Sequence, residues 1–114
     1  MKLIKKSETN KVSNSKEAVM EEYLHNDPDL NLAIGNISAR YPATGYVINE
    51  ISKELVYVLE GSIDLILKDQ VAHLNAGDSV IIDKKELFAW DGQARLLTVC
   101  LPAWEPAQHK EVKG

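Results

Sequence analysis

Side chains able to act as metal ligands or nucleophiles are few in this chain. Its three histidines are His25, His73 and His109, and Cys100 is its one cysteine. His25 stands in a turn-forming stretch, His73 beside the apolar Leu74, and His109 in the tail. Their spacing makes no shared site, and each reads as a surface residue. A single cysteine permits no internal disulfide and rules out a thiolate zinc cage. No positive group lies near it in the run Leu97-Thr98-Val99-Cys100-Leu101 to lower its pKa, so it reads as a small buried hydrophobe. Acidic side chains number 17 against 13 basic ones, a net charge of −4. That balance offers no field to attract phosphates or an anionic membrane, so neither nucleic acid nor membrane is an expected partner. Glu60, Asp64, Asp69 and the run Lys84-Lys85-Glu86 read as solvated faces. The apolar runs are too short to span a bilayer, and Met1-Lys2-Leu3-Ile4-Lys5-Lys6 lacks the long apolar stretch of a secretion signal, so a cytoplasmic location is expected.

Any site must be positioned by a fold, and 114 residues with 45% hydrophobic and 26% charged side chains imply one globular domain. Residues 1–16, rich in Lys, Ser and Asn, are expected as a flexible or loosely docked arm, or as a strand exchanged with a partner subunit. Residues 17–114 then form the domain and its tail. Val19, Met20, Tyr23 and Leu24 fit one face of a short helix with Asn14 and Glu17 as a capping box, yet they also fit an edge strand. The turn chemistry of His25-Asn26-Asp27-Pro28-Asp29 and the alternation Leu30, Leu32, Ile34 favour the strand, as half of a hairpin.

Further breaks are expected at Pro42 to Gly45, Gly61-Ser62, Lys68-Asp69-Gln70, Ala76-Gly77-Asp78 and Asp91-Gly92-Gln93. Short β-branched or aromatic segments between them predict an all-β sandwich or barrel. Leu55 to Leu59, Ile63 to Leu67, Val80 to Ile82 and Leu96 to Leu101 are apolar almost throughout, which predicts strands covered on both faces. The outer cover is a second sheet, the N-terminal hairpin or a second subunit, and an isologous homodimer satisfies the requirement. Trp104, beyond the last strand, is placed to anchor the tail.

The stretch Glu54-Leu55-Val56-Tyr57-Val58-Leu59-Glu60-Gly61 resembles the second half of the first cupin motif, and Ala76-Gly77-Asp78-Ser79-Val80-Ile81-Ile82 resembles the start of the second. With the flanking strands the resemblance covers about residues 30–104. It implies a double-stranded β-helix, or jelly-roll, barrel. Ala39 to Pro42, Asn49-Glu50 and Cys100 to His109 are similar to small single-domain cupins of the mannose-6-phosphate isomerase-like branch, for which no single activity carries over. Metal-binding cupins converge three histidines and a glutamate on an ion. Alignment on Glu54 puts the first two histidine positions at Ile48 and Glu50, or at Val47 and Asn49; alignment on Gly77 puts the third at Phe88. Only Glu54 is retained, so no metal and no other cofactor is expected.

The same resemblance turns Glu54, Phe88 and Trp90 inward, with Asn49 or Glu50 beside them, while Tyr57 faces the layer between sheets or subunits. Glu54 among aromatic rings would have a raised pKa and could shuttle a proton. The expected function is a small-molecule-binding barrel, for a sugar-like molecule or an organic acid, with Asn49, Glu50, Phe88 and Trp90 as ligand contacts. One alternative is a metal-independent sugar isomerase or epimerase with Glu54 as acid and base; another is a purely structural dimer. In the plainest case Glu54 pairs with Lys53 or Arg40 at the rim, and Phe88 and Trp90 fill the space an ion would take. That case is preferred over proton transfer.

Overall fold

The computed structural model describes residues 1–113. Among the described residues nine strands follow one another: β1 Asn10–Ser15, β2 Ala18–Tyr23, β3 Asn31–Ile37, β4 Tyr46–Asn49, β5 Lys53–Leu67, β6 Val71–Asn75, β7 Ser79–Ile82, β8 Phe88–Leu101 and β9 His109–Val112. Single 3-10 turns, Lys6–Glu8 and Pro106–Gln108, precede the first and last. All pairings are antiparallel. No helix of the described residues is long and apolar enough to cross a membrane.

Two long strands build the barrel. β5 and β8 pair along their whole length, from Lys53↔Leu101 to Leu67↔Phe88. Toward the Lys53–Leu101 end β5 joins β7 and β8 joins β3, and toward the Leu67–Phe88 end β5 joins β6 and β8 joins β4. A register shift between Val58 and Glu60 bends the pair. It also changes the parity of inward residues on β5 from Val56 and Val58 to Ile63 and Leu65. The sheet can therefore curl without losing its apolar lining, which Phe88, Trp90 and Leu96 of β8 complete.

Gly61 and Gly92 occupy the bend rather than breaking it. Gly61, at φ +82, lies directly beneath the Gln93 carbonyl, and Gly92, at φ +143, sits against the Ser62 carbonyl oxygen. Two backbones cross there too closely for a Cβ, so glycine permits a continuous strand where the sequence suggested a turn. The breaks at Gly61-Ser62 and Asp91-Gly92-Gln93 are thus corrected. Ala76-Gly77-Asp78 does turn, with Gly77 at φ +95.

Residues 18–23 are a strand, paired with β3 from Ala18↔Ile37 to Tyr23↔Leu32. Within the segment expected as an arm, β1 pairs with β2 of the same chain, Asn10↔Glu22 to Ser15↔Ala18. Its polar side chains do not prevent this, because backbone groups supply the pairing and β2 otherwise has an open edge. On the outer face, Leu55, Tyr57, Ile81 and Leu101 are 41 to 56% exposed. Among the described residues no second layer covers that face.

Candidate functional site

The inward faces of β2, β3, β5 and β8 enclose a cavity of about 70 Å³. That is several times the roughly 10–15 Å³ needed for one water, so the barrel is not solid. Met20, Ile37, Phe88, Trp90 and Leu96 give it an apolar wall. Phe88 and Trp90 meet edge to face with centroids 6.4 Å apart, an arrangement that orients both rings.

Polar groups converge at one end. Register places Glu54 of β5 opposite Cys100 of β8, and alternation turns both inward. Glu54 Oε1 accepts hydrogen bonds from Asn49 Nδ2 at 3.2 Å and from the Cys100 thiol at 3.7 Å. Asn49, the last residue of β4, is 2% exposed. Its Oδ1 accepts from Trp104 Nε1 at 3.0 Å and lies 2.8 Å from His109 Nδ1. His109 Nε2 in turn lies 2.8 Å from the Tyr41 hydroxyl. A continuous chain, Tyr41 to His109 to Asn49 to Glu54, thus borders the cavity.

Local structure explains how distant residues meet. Tyr41 exchanges two backbone hydrogen bonds with Trp90, each 2.8 Å, which fixes its ring beside β8. His109 is delivered by its neighbour. Gln108 Oε1 accepts from the amides of Ile51 and Ser52 at 2.9 and 2.7 Å, while Nε2 donates to Ser52 Oγ at 2.8 Å. Ser52 Oγ then donates to the Pro102 carbonyl at 2.7 Å. This buried knot ties the tail to the β4–β5 turn, and β9 continues from it along β4.

Burial dominates the electrostatics. It raises the Glu54 carboxyl above its ordinary range, although the Asn49 and Cys100 hydrogen bonds oppose the shift. It pushes the Tyr41 hydroxyl up to about 12, with Glu111 and Glu54 adding to the effect. The Cys100 thiol is raised too, by burial and then by Glu54, which agrees with a protonated packing residue and not a nucleophile. Burial lowers His109 and favours neutral imidazole, against a smaller opposing pull from Glu111.

Of the residues expected to form the site, Glu54, Phe88 and Trp90 line the cavity and Asn49 braces it. Glu50 does not: it faces solvent, 3.8 Å from the Lys110 ammonium. A pairing of Glu54 with Lys53 or Arg40 does not form either. Lys53 lies 3.9 Å from Asp83, and Arg40 donates to the carbonyls of Pro42 and Gly45. His109 corrects the expectation of a surface residue, since it is enclosed by Tyr41, Asn49 and Trp104. His73 is exposed as expected, 2.7 Å from Asp64. Tyr41, Trp104 and His109 carry no signal of a shared site in the sequence, because the hydrogen bonds that join them to one another and to Asn49 span 55 residues or more of chain.

The donor set does not fit a cupin metal ion. Among the described residues no three His, Cys, Asp or Glu side chains converge, and Val47 and Phe88, at positions where ligands would fall, are buried apolar groups. Glu54 is hydrogen-bonded to Asn49 and to the Cys100 thiol, and both ring nitrogens of His109 are engaged by Tyr41 and Asn49, which leaves a poor transition-metal donor set.

Residues 45–100 match the Cupin domain family. None of the curated proteins compared with the chain matches it. Among solved structures the chain is similar to Pac13 of Streptomyces, a nucleoside dehydratase also solved with uridine. The TM-score is 0.85 at 16% identity, over 96% of this chain and 88% of that one. It is similar as well to the polyketide cyclase RemF of Streptomyces resistomycificus, with TM-score 0.75 and 20% identity over 98% and 85% of the two chains. KdgF of Halomonas sp. aligns with TM-score 0.67 and 14% identity over 86% and 90%. The match over residues 45–100 and the likeness of the whole chain to these structures together show a cupin-type jelly-roll fold.

Proposed function

We propose that this barrel binds a small, uncharged, hydroxylated molecule of sugar-like chemistry in its cavity, without a metal, and that Glu54 moves a proton on it. The observation that carries the reading is Glu54 itself. It is a half-buried carboxyl facing a largely apolar cavity, held by Asn49 and the Cys100 thiol rather than by a cation. A carboxyl whose burial favours its protonated form suits general acid and base chemistry. The lining also discriminates between ligand classes. Among the described residues around the cavity none is Lys or Arg, and two, Glu22 and Glu54, are acidic. An organic acid or a phosphate would enter unpaired, at a desolvation cost of several kcal/mol by order of magnitude. A neutral polyol would not. Pac13, whose fold this chain shares, has been solved with uridine, a neutral hydroxylated ligand.

Deuterium transfer tests the reading. The protein in D₂O is presented with a panel of neutral sugars and nucleosides, uridine included, and carbon-bound deuterium is followed by NMR. Incorporation above the buffer rate for at least one compound supports it. A panel that exchanges only at the buffer rate overturns it.

We also propose that two copies pair through the open face of β5, β7 and β8. Leu55, Tyr57, Ile81 and Leu101 form an apolar surface that solvent does not favour. Sedimentation velocity should give a dimer for the natural chain and a monomer for Leu55→Asp. A natural chain that sediments as a monomer at tens of micromolar contradicts the pairing.

A further inference from the structure

The hydrogen bonds around Asn49 assign protons that coordinates alone do not show. Indole nitrogen only donates. Trp104 Nε1, 3.0 Å from Asn49, therefore requires the amide oxygen on its side and turns the amide NH₂ toward Glu54. Two consequences run in opposite directions from this one contact.

Toward Glu54, the Asn49 amide and the Cys100 thiol both donate to Oε1. Oε1 thus has no room for a proton of its own, and a proton on this carboxyl belongs on Oε2. No buried polar side-chain atom among the described residues lacks a partner. Oε2, which takes part in none of these bonds, is the oxygen that opens on the cavity. Toward His109, the Asn49 oxygen can only accept, so Nδ1 must carry hydrogen. In a neutral ring Nε2 is then an acceptor, and the Tyr41 hydroxyl must donate to it across 2.8 Å. With its hydrogen committed, the Tyr41 oxygen offers the cavity lone pairs only.

We propose that Trp104, acting through Asn49, sets the hydrogen-bond polarity of the cavity, with Glu54 as donor at one side and Tyr41 as acceptor at the other. The ligand that complements this pattern is an uncharged molecule with a carbonyl or ether oxygen facing Glu54 and a hydroxyl facing Tyr41. Trp104 and Asn49 are positioning residues, since they act through Glu54 and His109. The ligand pattern rests on the binding reading above, whereas the proton arrangement does not and is measured without any ligand.

The measurement is long-range ¹H–¹⁵N correlation on the full chain labelled at histidine, where the three residues His25, His73 and His109 give three ring patterns. At neutral pH, His109 is expected as the Nδ1–H tautomer with a bare Nε2, the reverse of the form that free histidine favours. Asn49→Asp keeps an acceptor toward the ring and should keep that tautomer. Trp104→Phe removes the only fixed donor and should let Nε2–H appear. An Nε2–H ring in the natural protein overturns the proposal outright. So does a ring unchanged by Trp104→Phe in a variant whose amide spectrum shows it folded. If the tautomer is as expected and the deuterium panel stays blank, the proton arrangement stands and the ligand reading fails.

Discussion

Glu54→Gln should lower deuterium transfer into a responsive sugar or nucleoside by about 10²–10⁴-fold, the usual range for one positioned acid or base. The variant is nearly isosteric. Its side-chain oxygen can still accept from Asn49 and Cys100, and its amide can still donate to a ligand. What it cannot do is exchange a proton. The loss should therefore fall on kcat and leave KM almost unchanged; a change confined to KM would make Glu54 a binding contact only. Stability should move the other way. Because burial raises the carboxyl in the folded chain, the folded state holds a proton that the unfolded state has released between the two pKa values. Its stabilising contribution is complete below the unfolded value, about 4.3, and is lost as pH rises through the folded value. Glutamine has no such dependence. Denaturation of both proteins at several pH values should show the variant gaining on the natural chain as pH rises.

Gln108→Ala should destabilise the protein by about 2–5 kcal/mol in urea denaturation, which is a large share of the total for a domain of this size. The side chain is 4% exposed and satisfies the amides of both Ile51 and Ser52. Truncation strands two donors in the interior and frees the Ser52 hydroxyl from Nε2. Each unpaired buried group costs on the order of 1–3 kcal/mol. Gln108→Glu keeps an oxygen that can accept from both amides and loses the donor to Ser52, so it should cost less than alanine. The knot also carries β9 and hence His109, so the alanine variant should lose the His109 ring pattern before the barrel itself unfolds. A loss below about 1 kcal/mol would show that water replaces the glutamine, and that the tail is not held as described.

Much of this architecture is legible in the residues, for reasons that differ by element. The β2–β3 hairpin is readable because the Asn26 to Asp29 turn chemistry is local, and a strand's alternation is local too. The same locality misleads at Gly61 and Gly92. A glycine at positive φ looks alike in a turn and in a strand that another backbone crosses, and only the tertiary approach of β5 to β8 separates them. The inward direction of Glu54, Phe88 and Trp90 is legible because strand parity is robust inside long strands. Asn49 and Glu50 were not separable, since β4 has four residues and a slip of one exchanges its faces. His109, Tyr41 and Trp104 lie beyond such reasoning. They meet through the Gln108 knot and a tail fold that no periodicity describes.

The most direct measurement is a ¹³C titration of the glutamate side-chain carboxyls, with Glu54→Gln used to assign the Glu54 signal. A proton donor at this site requires that signal to titrate above the ordinary glutamate value of about 4.3, in the direction burial pushes it. A Glu54 signal that titrates at or below that ordinary value would contradict it. The cavity would then hold an ordinary charged carboxylate in place of the neutral donor on which the proposed chemistry depends.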